Sequence, residues 1–149
     1  MALSANQPIE YELGDYSAYP VEASTRIFDG AMITLDGTSR NATPLNKADA
    51  ALFAGHADRE ADNSSGAAGA IFVKARSGRY KAVVTLASVA VTDQGKSVYA
   101  VDDATLSLTA TNNLYVGVVD RYISANKCLV EFRPFEMDVQ AALDLKADA

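Results

Sequence analysis

Ala70-Ile71-Phe72-Val73-Lys74-Ala75-Arg76-Ser77-Gly78-Arg79-Tyr80-Lys81-Ala82-Val83-Val84 is the stretch on which the fold reading turns. Its first half is apolar and β-branched, Ser77-Gly78 is a turn dipeptide, and Arg79 begins a return. Lys74 and Arg76 lie two apart, as do Arg79 and Lys81, so each pair points to one face of its strand. The spacing predicts a hairpin with one basic face.

The same texture runs outward on both sides. Upstream, Arg26 to Leu35 is β-like and ends at the turn signal Asp36-Gly37. Residues 44–54 fit either one or two helical turns or a loop entering a strand at Leu52–Ala57. Asp62 to Gly69 is a loop rich in Gly and Ser. Downstream, strands are predicted at Val98–Val101, Leu106–Thr109, Leu114–Ile123 and Cys128–Arg133. Turns at Thr92–Gly95, Asp102-Asp103, Asn112-Asn113 and Ser124–Lys127 separate them. Roughly seven to nine short strands with a turn about every ten residues favour an all-β sandwich or barrel over alternating β-α-β units. The expected organisation is an extended N-terminal arm over 1–24, a β domain over 25–134, and a tail or short helix over 135–149. The arm is acidic and tyrosine-rich, bracketed by Pro8 and Pro20. It packs either on its own domain or on a neighbouring subunit.

Composition narrows the function classes. The chain has 149 residues, 49% hydrophobic and 21% charged, enough for one domain with a real core. A formal charge of -6 argues against coating nucleic acid or an anionic membrane. No apolar run is long enough to cross a bilayer, and the first residues predict no secretion signal. One cysteine, Cys128, excludes an intrachain disulfide and cysteine-cluster metal sites, and one histidine, His56, excludes multi-histidine zinc sites.

The search for chemistry returns little. On a strand, His56, Asp58, Glu60 and Asp62 would share a face, which reads as a metal- or sugar-binding module or, more simply, as a solvated acidic edge. Asp93 and the pair Asp102-Asp103 sit in turn sequences, where aspartate is at home. Cys128 alternates with Val130 and Phe132, the pattern of a buried thiol. Asn41-Ala42-Thr43 and Asn63-Ser64-Ser65 match the glycosylation sequon and read as coincidence. No phosphate-binding or nucleophile-elbow motif is present, so no catalytic residue, metal ligand or cofactor is expected. The charge distribution says more. No acidic residue falls between Asp62 and Asp93, whereas Lys74, Arg76, Arg79 and Lys81 do. A basic hairpin on an acidic protein reads as a docking face for an acidic partner, or as a solvated strand face.

The order of motifs resembles the capsid cement, or head decoration, proteins of tailed bacteriophages. The resemblance covers residues 27–133. It is carried by Phe28-Asp29-Gly30-Ala31-Met32-Ile33, Phe53-Ala54-Gly55-His56-Ala57, Asp62-Asn63-Ser64-Ser65-Gly66-Ala67-Ala68-Gly69, Val73–Tyr80, Gly95–Asp103 and Tyr115-Val116-Gly117-Val118-Val119. It implies a small β-barrel, tulip-like domain made in the host bacterial cytoplasm and placed on the outer surface of the expanded head. It further implies a trimer at local threefold positions that staples neighbouring major capsid protein subunits against DNA pressure, without chemistry. On that reading Ile9, Tyr11, Leu13, Tyr16 and Tyr19 are the arm's apolar anchors, and Lys74, Arg76, Arg79 and Lys81 seat the domain. Another phage virion β protein, of the tail, collar or fibre attachment, is the alternative within the same class.

Overall fold

The computed structural model describes residues 2, 4–9, 14–48 and 50–138. The strands in chain order are β1 (Tyr16–Pro20), β2 (Thr25–Ile27), β3 (Met32–Leu35), β4 (Ala42–Pro44), β5 (Leu52–Ala57), β6 (Ala61–Asn63), β7 (Phe72–Arg76), β8 (Tyr80–Thr85), β9 (Ser97–Ala100), β10 (Leu106–Ser107), β11 (Leu114–Ser124) and β12 (Lys127–Phe132). A single 3-10 turn at Val91–Asp93 is the one helical element among the described residues. The protein is all-β, and no sheet closes into a barrel.

Two five-stranded sheets and a two-stranded ribbon make three layers. The first sheet has the order β1-β7-β5-β3-β4, the second β10-β9-β11-β12-β8, and the ribbon is β2-β6. All pairings between these strands are antiparallel. The first sheet lies in the middle. Its Met32 and Phe53 join Val98, Val116, Val119, Cys128, Val130 and Phe132 of the second sheet in one core. Its Ile33, Leu35, Ala54, Ala57, Val73 and Ala75 meet Ile27 and Ala61 of the ribbon, with Val21, in the other. Every residue of β3 is therefore buried, as expected of a strand covered on both faces. The polar one, Thr34, is satisfied: its hydroxyl meets that of Thr43 at 3.1 Å and accepts the Asn46 N–H at 3.0 Å.

The expected hairpin does not form. β7 pairs with β1 on one edge and β5 on the other, while β8 pairs with β12 in the second sheet. Ser77-Gly78-Arg79 crosses from one sheet to the other, with Gly78 at φ 67°. Two residues of β7, Val73 and Ala75, face the ribbon core, whereas Tyr80, Ala82 and Val84 of β8 face the core between the sheets. Both edges of β7 are taken, so β8 has to find another partner. Arg26 to Leu35 also divides: a turn at Phe28–Ala31, closed by Ala31 N–H donating to Phe28 C=O, separates β2 from β3. Of the two readings of residues 44–54, the loop leading into a strand at Leu52–Ala57 is the one found.

The arm expected over 1–24 is shorter. Tyr16–Pro20 is an edge strand of the first sheet, and Val21 is fully buried. Residues 4–9 carry no strand or helix and are exposed. At the other end, Arg133 to Asp138 straps the two sheets together. Phe135 N–H donates to Phe53 C=O, Arg79 binds Glu136 through two bonds, and Ser97 and Tyr99 hydroxyls donate to Asp138. Residues 139–149, part of the expected tail or helix, lie outside the described residues.

Gly55 shows how tightly β5 and β7 approach. Its φ is 119°, and a Cβ there would run into the Arg76 carbonyl. Gly55→Ala should lower stability by about 3 kcal/mol through backbone strain and displacement of β7. Urea denaturation checks this as a fall in midpoint at unchanged slope.

Candidate functional site

Of the four cations singled out in the sequence, Lys74 and Arg76 sit on the first sheet, Lys81 on the second and Arg79 in the crossing between them, and each already has partners. Lys74 lies 3.5 Å from Asp58 and 4.2 Å from the Tyr16 ring centroid. Arg76 donates to the Tyr16 hydroxyl at 2.7 Å and covers that ring at 4.9 Å. Arg79 holds Glu136 at 2.5 Å, with Glu131 3.6 Å away, and Lys81 reaches Asp120 at 3.4 Å. The shared basic face expected of a hairpin is thus replaced by two separate, locally balanced clusters. Tyr16 and Tyr19 are spent inside the domain, Tyr16 beneath Lys74 and Arg76, Tyr19 edge-on to Phe135 at 6.2 Å. Ile9 is 58% exposed. Tyr11 and Leu13 lie outside the described residues.

His56 is not grouped with the carboxylates that follow it. β5 ends at Ala57, and a bend at Asp58 and Arg59 breaks the alternation that would have aligned them. Asp58 pairs with Lys74, Glu60 with Arg26, and Asp62 accepts from Ser64. Among the described residues no group of three His, Cys, Asp or Glu side chains could hold a metal ion. Asn63 is also explained. It is buried, and its amide donates to the carbonyls of Val21, Glu22 and Ala67, so the sequon nitrogen is consumed in holding the 63–70 loop.

The sequence did not reveal what His56 does. It stands at the joint of the two large sheets, its Nδ1 2.5 Å from the Tyr80 hydroxyl. Its ring meets Phe132 edge-on at 4.5 Å, and Phe53 at 6.3 Å. Burial raises the Tyr80 hydroxyl well above its ordinary value, so it stays protonated and donates to Nδ1. Burial also lowers the imidazole from 6.5 to about 4, because the charged ring would lose water and gain only aromatic neighbours. The guanidinium carbon of Arg76 lies 6.0 Å from the Tyr80 ring.

Beside this joint opens a cleft of about 350 Å³. Ala82, Val83, Val84 and Thr85 of β8 form one wall, Asp103, Ala104 and Leu106 the other, and Gly30, Met32 and His56 complete it. Both walls belong to the second sheet's two ends, since β8 and β10 are its edge strands. The sheet therefore curls until its edges face each other and stops short of closing. No signal in the sequence marks this cleft, because it depends on which strands end up at the edges.

Comparison with protein-family models, curated proteins and solved structures finds no match to this chain.

His56 gives a pH signature with a definite sign. Its folded pKa lies below the unfolded value, so between about 4 and 6.5 the unfolded chain binds the proton and the native one does not. The stability this confers is complete above pH 6.5 and is lost as pH falls toward 4. Wild type should lose about 3 kcal/mol more than His56→Gln between pH 7 and pH 4. Urea denaturation of both proteins across that window measures the difference; carboxylates titrating at its acid end act equally in both.

Proposed function

We propose that this chain is a structural protein of a tailed-phage virion. It binds the outer surface of the expanded head and staples neighbouring major capsid protein subunits, as trimers at local threefold positions. The observation that supports this best is the pairing of an interlocked β domain with an exposed segment, residues 4–9, ahead of its first strand. Contact area is what such a molecule has to offer. Ile9 in the arm, Phe28, Phe72 and Val91 on the domain are each more than half exposed, at 58%, 56%, 60% and 59%. Ile9, Tyr11 and Leu13 act as apolar anchors that leave the domain and grip a neighbouring subunit of the shell. Lys74, Arg76, Arg79 and Lys81 contribute less to seating than their sequence pattern implies, being balanced within the domain.

The mechanism is linkage. A protein that binds the expanded lattice and not its precursor stabilises that lattice by its binding free energy. Contacts repeated over a shell, and arms joined to rigid bodies, raise occupancy beyond what one contact gives.

Removing residues 1–13 leaves β1 in place, where removing residues 1–20 would strip an edge strand and uncover β7. The shortened protein should keep its circular dichroism spectrum and lose co-sedimentation with undecorated expanded heads of the phage that encodes it. Equal binding by the shortened protein overturns the arm's role. A particle reconstruction with density at the vertex or tail alone would move the protein to the tail, collar or fibre attachment.

A further inference from the structure

The cleft is bordered by β8 and β10, the two edge strands of the second sheet. Leu86 N–H donates to Asn126 C=O, and the β8–β12 register is regular from Lys127↔Thr85 to Phe132↔Tyr80. Hydrogen-bonded pairs alternate along an antiparallel ladder, so Tyr80, Ala82 and Val84 bond to β12. The backbone groups of Lys81, Val83 and Thr85 then point away from the sheet. The same reasoning applies to β10: Val101 N–H donates to Thr105 C=O, in register with Leu106↔Ala100, which leaves Leu106's backbone groups on the outer edge. Two ladders thus open onto one gap, and beneath them Ala82, Val84 and Leu106 are only partly covered although they pack on the main core.

We infer that this gap receives residues 8–13 of a second copy of the chain, as an added strand that joins β8 to β10. Ile9, Tyr11 and Leu13 alternate with Glu10 and Glu12, the pattern of a strand with one apolar face. With the apolar face inward, the two carboxylates lie on the outer face, where Lys81 of the adjacent strand β8 is exposed. Opposite charges across adjacent strands favour that register. Lys81 keeps its own Asp120 at 3.4 Å but is half exposed. Leu13 directly precedes Gly14, whose C=O accepts from the Ser77 hydroxyl, so the receiving cleft abuts the Ser77-Gly78 corner of the donor domain. None of residues 4–9 lines the cleft of its own chain. Repeated head to tail, such an exchange closes into a ring when the rotation allows it. The inference rests on the arm acting as the linking element, as proposed above, and names a second copy's cleft as what it grips.

Purified full-length protein without capsids tests it, so head binding is not involved and the two ideas can fail separately. Sedimentation velocity should show oligomers that an excess of a synthetic peptide of residues 4–14 returns to monomer. Proline lacks the N–H that Val83 turns toward the gap and leaves the β12 ladder intact. Full-length Val83→Pro should be monomeric and bind the peptide at least tenfold more weakly, and Val83→Thr should behave as wild type. If the proline variant fails to fold by circular dichroism, the other side of the contact decides: the peptide with Ile9, Tyr11 and Leu13 replaced by serine should leave the oligomers intact. In the wild-type oligomer the amides of Lys81, Val83 and Thr85 should exchange at least tenfold more slowly than in the peptide-free monomeric triple variant Ile9→Ser, Tyr11→Ser, Leu13→Ser. A full-length protein monomeric at all concentrations, oligomers untouched by the peptide, or a serine peptide as effective as the native one overturns the inference.

Discussion

The strand Met32–Leu35 has no solvent side. Met32 looks toward the second sheet and Ile33 and Leu35, two residues apart on one face, toward the ribbon. A sheet covered on both faces cannot offer a polar, solvated surface, so the chain must place its charges at edges, turns and outer layers. The first sheet then dictates the connections. Its strands come from distant parts of the sequence, and β7 lies between β1 and β5. With both of its edges filled, the chain after Arg76 is obliged to leave for the second sheet.

That obligation explains which features were legible in the sequence. Strand positions in the second half follow from alternation and turn residues, and β9, β11 and β12 fall close to the expected stretches. The all-β class follows from the same spacing. Pairing does not. Ser77-Gly78 looks like a hairpin turn by composition, yet a turn dipeptide specifies a change of direction and says nothing about which neighbour wins the strand's edge. Tyr16–Pro20, far away in sequence, wins one edge of β7. The candidate site fared similarly. His56 was visible as a lone histidine among acids, but its actual partners, Tyr80 and Phe132, lie on other strands and carry no sequence mark of the contact. The strap from Arg133 to Asp138 was likewise hidden, because Pro134 signals only that a strand has ended.

Electrostatics follow the same logic of local closure. The acidic excess is spread over turns where backbone N–H groups and hydroxyls hold carboxylates below their ordinary range, as at Asp36, Asp62 and Asp102. Arg26, Lys74, Arg79, Lys81, Lys96 and Arg133 each stand beside a carboxylate, and Arg76 covers the Tyr16 ring. Exposed pairs of this kind add little to stability.

The thiol of Cys128 is wholly enclosed between the two large sheets, and the chain contains no other sulfhydryl. Burial also raises its pKa, holding it in the unreactive form. A thiol reagent can therefore reach this molecule only while the sheets part. The speed of alkylation becomes an internal clock for breathing of the main core, requiring no engineered label.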